Sequence, residues 1–257
     1  MTSLSEEEVA ALADELCTRR SSGQTRAPLT DGMPLTMTDA YRVQAAVNAR
    51  RSARGEHIVG WKLGYTSEAM RRQMGVADPN FGPLTDAMVL GSDATVPPTL
   101  LQPRVEPEIG LMFGRHLRGP VTVDEVLDAA AYAFAVLEVV DSVYTDYRFR
   151  IEDNTADGSS AAHVVIGSRL PDLVSLPTTT VDLYRNGVRL ASALGEAASG
   201  HPARGVVWLV DQLASTGRRI EAGQFVITGG LTAATPLERG DVVSATFEGD
   251  ISVAVRR

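Results

Sequence analysis

The chain has 257 residues, 44% hydrophobic and 22% charged, with a net charge of −8, which fits one large or two small globular domains and argues against nucleic acid or an anionic membrane as the main partner. No apolar run approaches the ~20 residues that span a bilayer, and the acidic start, Glu6-Glu7-Glu8, lacks the layout of a signal peptide, so a cytoplasmic protein is expected. Cys17 is the only cysteine, which excludes an internal disulfide framework and a Cys-based zinc site.

Ser5 and Glu8 form a capping-box pattern ahead of Val9, Leu12 and Leu16, which predicts a helix over 5–20. A loop follows over 21–37. Thr38 or Asp39 is expected to cap a second helix that runs to Arg54 and stops at Gly55. These helices make an N-terminal segment, 1–55, beside a β-rich body, 56–257. Ile58-Val59-Gly60-Trp61-Lys62-Leu63-Gly64 reads as a buried strand, followed by a short helix near 67–74 and an extended stretch over 84–89. Pro97-Pro98 precedes a strand over 104–113, in which Pro107 favours an edge or a bulge. Thr122 and Glu125 pair as the cap of a helix over 121–131. An apolar strand over 133–141 leads into a polar stretch, 144–160, long enough for a functional loop. Asn186-Gly187 between two alternating stretches predicts a hairpin turn, and Pro202 and Gly217 bracket a helix. Strands are expected over 224–228, 242–247 and 251–255, the last two as a hairpin. The sum is an α+β protein with a small helical piece packed on a sheet body.

No dinucleotide, phosphate-loop or nucleophile-elbow signature occurs, and the four histidines, His57, His116, His163 and His201, lack the spacing of a zinc site. The carboxylates carry more. On a strand, Glu106 and Glu108 share one face about 7 Å apart, while Val105, Pro107, Ile109 and Leu111 take the other. Glu138 stands alone in the apolar stretch 134–140, where an ionised carboxylate costs on the order of several kcal/mol unless paired or metal-bound. Convergence on one divalent cation would satisfy all three, and an all-oxygen set suits Mg²⁺ or Mn²⁺ better than Zn²⁺. The bland alternative is a buried Arg–Glu network through Arg104 or Arg148. Of the 24 basic residues 23 are arginine. Lys62, the only lysine, therefore points to a task that needs a compact, titratable ammonium.

Five segments, in order, carry a resemblance: Gly60-Trp61-Lys62-Leu63-Gly64-Tyr65-Thr66-Ser67, Phe81-Gly82-Pro83-Leu84-Thr85-Asp86, Arg104-Val105-Glu106-Pro107-Glu108, Leu137-Glu138-Val139-Val140-Asp141-Ser142 and Thr155-Ala156-Asp157-Gly158-Ser159-Ser160. Together with Gly229-Gly230-Leu231-Thr232 they resemble the 2-oxopent-4-enoate hydratase / 2-oxohex-3-enedioate (4-oxalocrotonate) decarboxylase family of the fumarylacetoacetate hydrolase superfamily. The resemblance implies a mixed β-roll fold and a Mg²⁺ or Mn²⁺ site made by Glu106, Glu108 and Glu138. It also implies acid–base roles for Lys62 and Asp86, and substrate contacts from Leu84, Ser160 and Thr232. The Val-Glu-Pro-Glu and Leu-Thr-Asp segments look closer to decarboxylases, which implies loss of CO2 from a vinylogous 2-oxo diacid such as 2-oxohex-3-enedioate. Hydration of 2-hydroxypenta-2,4-dienoate is the alternative, and a non-catalytic partner subunit the third reading. The resemblance further implies a small anionic 2-oxo acid as substrate and a homo-oligomer, with a companion hydratase as a candidate partner. Gly158, where the pattern has Asn, and Tyr65, where it has Leu, are departures.

Overall fold

The computed structural model describes residues 3–67, 71–72 and 75–257; the short helix expected near 67–74 falls largely outside the described residues. Helix α1 (Glu6–Ser22) begins on the expected reciprocal cap, with the Glu8 N–H donating to Ser5 Oγ at 3.2 Å and the Ser5 N–H donating to the Glu8 carboxylate at 2.7 Å. Helix α2 (Met37–Ala53) starts earlier than expected. Thr36 is its cap: the Asp39 N–H donates to Thr36 Oγ1 at 3.1 Å. Asp39 is instead buried, where its carboxylate accepts from Ser3, Thr36 and Arg42. The apolar faces of α1 and α2 close on Val143, Tyr144 and Ala156, so the helical segment shares a core with the middle of the chain. No helix among the described residues is long and apolar enough to cross a membrane.

The body consists of β1 (Ile58–Gly64), β2 (Asn80–Thr85), β3 (Val89–Gly91), β4 (Ala94–Thr95), β5 (Arg104–Phe113), α3 (Val123–Ala129), β6 (Ala130–Val140), α4 (Ile151–Ala156), β7 (Ala161–Arg169), β8 (Thr180–Arg185), β9 (Val188–Leu194), α5 (Pro202–Ser215), β10 (Phe225–Ile227), β11 (Thr235–Pro236), β12 (Val242–Phe247) and β13 (Ile251–Arg256). One sheet runs β2-β1-β10-β5-β6-β7-β3 with β11 beside β5, and the other runs β4-β13-β12-β8-β9. Both are mixed, because β1–β10, β3–β7 and β4–β13 are parallel pairs among antiparallel ones. The Asn186-Gly187 turn takes positive φ at both residues, as a two-residue hairpin requires.

Period-two alternation divides the larger sheet into two faces. Trp61, Leu63, Val105, Ile109, Leu111, Leu137, Val139 and Val226 face the main core, shared with the second sheet, α3 and α5. The intervening residues of β1, β5 and β6, which include Lys62, Glu106, Glu108 and Glu138, point to the other face. Phe134, Val136, Phe225 and Ile227 make a second apolar cluster there.

Pro107 does not mark an edge, since β5 lies inside the sheet. Its carbonyl accepts from the Leu231 N–H at 2.9 Å. A residue's carbonyl and N–H point to the same side of a strand, so the missing donor faces the gap between β10 and β11. The β5–β6 ladder loses nothing.

Candidate active site

The register of β5 and β6 sets Glu106 directly opposite Glu138, with Glu108 opposite Val136. One oxygen from each of Glu106, Glu108 and Glu138 lies within 4.8 Å of the others. Glu108 and Glu138 are fully buried and Glu106 half-buried. Lys62 comes from β1, two strands from β5, and its Nζ stands 3.0 Å from Glu138 Oε2. The same ammonium donates to the Ser159 carbonyl at 2.9 Å.

The loop after β10 approaches closely from above the carboxylates. The Gly229 N–H donates to Glu108 Oε2 at 2.7 Å, with Gly229 at φ +99°. A Cβ on Gly230 would meet Glu106 Oε2 at 2.7 Å, so any larger residue there would displace that carboxylate.

Burial pushes the Glu106 carboxyl up to about 7, the Glu138 charge adds to the rise, and Lys62 and Arg104 oppose it. Burial also raises Glu108 well above the ordinary carboxylate range, reinforced by Glu138 and Glu106. Glu138 is raised by burial as well, offset in part by Lys62. For Lys62, burial pulls downward, but the charges of Glu138, Glu106 and Glu108 outweigh it and the net shift is upward. Glu108 Oε1 and Glu138 Oε1 are buried without a hydrogen-bond partner. Three carboxylates against one ammonium leave two negative charges, the charge of one divalent cation, and the unpartnered atoms are all oxygen donors. The residues present fit a hard dication. The alternative of an Arg–Glu network is not what forms, since neither Arg104 nor Arg148 makes an ion pair with these glutamates; Lys62 does.

Behind Lys62 lies a buried amide network that sequence reasoning missed. Ser159 Oγ donates to Asn80 Oδ1 at 3.0 Å, and Asn80 Nδ2 donates to Asn154 Oδ1 and Thr155 Oγ1, both at 2.9 Å. Asn154 Nδ2 in turn donates to Ser160 Oγ at 2.9 Å. Gly158, Ser159 and Ser160 all take positive φ, 73°, 57° and 56°. Such backbone is costly for serine and persists only where its surroundings enforce it. Asn tolerates the left-handed region better than most residues, so the Gly158 departure preserves the turn.

A cavity of about 380 Å³ opens over the cluster, lined among others by Lys62, Tyr65, Arg104, Glu106, Tyr147 and Ser160. A larger one, about 570 Å³, lies between α1, α2 and the 157–161 segment. Its arginines are matched by carboxylates, Arg20 by Asp157, Arg50 by Asp14, and Arg51 and Arg54 by Glu56, and it lacks the glutamate cluster.

Two of the expected site residues stand elsewhere, and a third, Thr232, flanks the cavity. Asp86 is exposed beyond the end of β2, where its carboxylate accepts from the His57 and Ala87 N–H groups at 3.1 and 2.9 Å. Lys62 pairs in register with Gly82, four residues earlier, so Asp86 cannot reach the cluster. Leu84 is fully buried in the apolar cluster with Phe134 and Val136, away from the cavity. Thr232 lies between the cavity residues Gly230 and Ala234, but its hydroxyl donates to the Ala233 carbonyl at 3.3 Å.

The fumarylacetoacetate (FAA) hydrolase C-terminal family model matches residues 56–256. The chain is 37% identical to 2-hydroxyhexa-2,4-dienoate hydratase of Comamonas testosteroni, over 89% of each chain. It is 34% identical to 4-oxalocrotonate decarboxylase of Pseudomonas sp. (strain CF600), over 98% of each. The structure superimposes on 4-oxalocrotonate decarboxylase from Pseudomonas putida G7, complexed with magnesium and adipate, with a TM-score of 0.95, 34% identity and coverage of 100% of this chain and 99% of that one.

Proposed function

The chain belongs to the hydratase/decarboxylase family of the fumarylacetoacetate hydrolase superfamily, and on that premise we propose that it is a divalent-cation-dependent carboxy-lyase acting on a vinylogous 2-oxo diacid such as 2-oxohex-3-enedioate. The observation that carries this reading is the cluster of Glu106, Glu108 and Glu138 with Lys62, of which Glu106 and Lys62 line the cavity. Glu106, Glu108 and Glu138 would hold Mg²⁺ or Mn²⁺, which would supply Lewis-acid polarisation of the 2-oxo acid end.

The reaction breaks the C5–C6 bond. Its electron pair becomes the C4=C5 double bond, the C3=C4 pair shifts to C2=C3, and the carbonyl pair moves onto the 2-oxo oxygen as C6 leaves as CO2. Lys62 keeps a proton at Nζ beside that end of the cavity and stabilises the developing negative charge. The Ser159 carbonyl holds the ammonium in place, and Ser160 faces the substrate carboxylate from the cavity wall. Such chemistry needs an electron sink and a proton donor but no base to activate water. No histidine lines the cavity among the described residues, and its one carboxylate outside the cluster is Asp146.

Hydration of 2-hydroxypenta-2,4-dienoate, the product of that decarboxylation, is the second reading, favoured by the hydratases among the relatives. The proposal includes a cytoplasmic homo-oligomer that can hand its dienol to a companion hydratase. Incubating the Mg²⁺-loaded protein separately with the two substrates separates the readings. CO2 release from the diacid is expected; loss of dienol absorbance without CO2 identifies a hydratase, and neither reaction would refute both.

A further inference from the structure

We propose that Arg104 is the subsite for the remote carboxylate of the diacid, an inference that rests on reading Lys62 and the three glutamates as the 2-oxo acid end of the cavity. Arg104 opens β5 and shares a face with Glu106 and Glu108. Its side chain leaves the strand about 7 Å from that of Glu106 and lines the same cavity. The guanidinium lies over the Tyr147 ring, with Cζ 3.9 Å from the centroid. Tyr147 is itself fixed, its hydroxyl donating to the Val140 carbonyl at 3.0 Å.

Arg104 forms no ion pair with any carboxylate among the described residues, including Asp146 on the same cavity wall. A guanidinium stacked through its face keeps its edge N–H groups available, and that edge is the part that takes a carboxylate bidentately. The dimensions agree: C2 to C6 of an extended six-carbon diacid spans about 5 Å at ordinary bond lengths, within the reach between the two side chains. Val140 and Phe149 line the cavity as apolar walls for the hydrocarbon part. A carboxylate held by Arg104 has its C5–C6 bond oriented against the conjugated plane, which decides whether the electron pair can enter the π system. Arg104 thereby serves both selection of a diacid and alignment of the bond to be broken.

Binding to the Mg²⁺-loaded protein tests this by calorimetric titration with 2-oxoadipate and 2-oxohexanoate, which differ only in carrying a carboxylate or a methyl group at C6. The protein is expected to bind the diacid at least about tenfold more tightly, because the half-buried guanidinium pairs with the second carboxylate and gains nothing from a methyl group. Arg104→Met is expected to bring the ratio to within about twofold with monoacid affinity unchanged, and Arg104→Lys to fall between. Thermal melts of both variants establish that they are folded. If Arg104→Met weakens both ligands equally, or the preference for the diacid survives, Arg104 merely supports Glu106 and the proposal is overturned. If neither 2-oxo acid binds the Mg²⁺-loaded parent protein, the reading of the site itself fails and the subsite falls with it.

Discussion

Glu106 on β5 and Glu138 on β6 face each other directly across the sheet, a placement in which like charges ordinarily repel and destabilise. Glu108 stands on the same face as Glu106, and Lys62 neutralises one charge of the three. The sheet thus concentrates negative charge at one point, on the side away from the main core. This costs stability in the absence of a counter-charge and is relieved when a dication binds.

The pH dependence of stability follows. Glu106 rises from 4.5 to about 7, and Glu108 and Glu138 are raised too. A carboxyl whose folded pKa lies above its unfolded one contributes stability below the unfolded value and loses it as pH rises through the folded value. The cation takes the deprotonated form. Without a divalent ion, stability from this site therefore falls from about pH 4.5 through pH 7. The rise in Tm on adding Mg²⁺ should be larger at pH 8 than at pH 6. Calorimetric scans with Mg²⁺ and with a chelator check this, and equal increments would contradict it.

Lys62→Arg keeps the charge beside Glu138 but not the compact ammonium. Turnover should fall about 100-fold, in the range of a lost acid–base group, with Mg²⁺ affinity little changed. Steady-state kinetics and a metal titration separate the two effects.

Asn80→Ala removes the amide that joins Ser159 to Asn154 and Thr155. Buried partners left unpaired cost about 1–3 kcal/mol, measurable by urea unfolding. Because the Ser159 carbonyl also holds Lys62, kcat should fall while Mg²⁺ affinity is retained. An unchanged kcat would confine Asn80 to a purely structural role.

Asp86→Asn should leave kcat and KM within about twofold of the parent, as for an exposed side chain far from the chemistry. A loss of turnover comparable to that of Lys62→Arg would restore the acid–base role that the sequence pattern implied for Asp86.

Alternation made the face of Glu106 and Glu108 legible, and the apolar surroundings of Glu138 made its isolation legible, because both are local features of one strand. The caps at Ser5 and Thr122 were legible for the same reason. Thr36 was not, since Thr38 and Asp39 offer similar capping groups two or three residues later, and the choice falls to tertiary bonds from the Ser3 hydroxyl and the Leu4 N–H to Asp39. Pro107 signalled an edge, yet the gap it faces exists only because β10 and β11 both pair with β5 and leave space between them. Asp86 lay in a motif whose Gly82 pairs with Lys62, but the β1–β2 register carries the chain away after it. The network of Asn80, Asn154, Ser159 and Ser160 joins residues as many as 79 apart in sequence, and no local pattern announces such a meeting.

The central claim is that Glu106, Glu108 and Glu138 together bind one catalytic dication. Calorimetric titration of the metal-free protein with Mg²⁺, beside Glu138→Gln, tests it most directly. The account predicts one ion per chain with proton release on binding, and loss of both binding and turnover in the variant. Full activity of metal-free Glu138→Gln would contradict it.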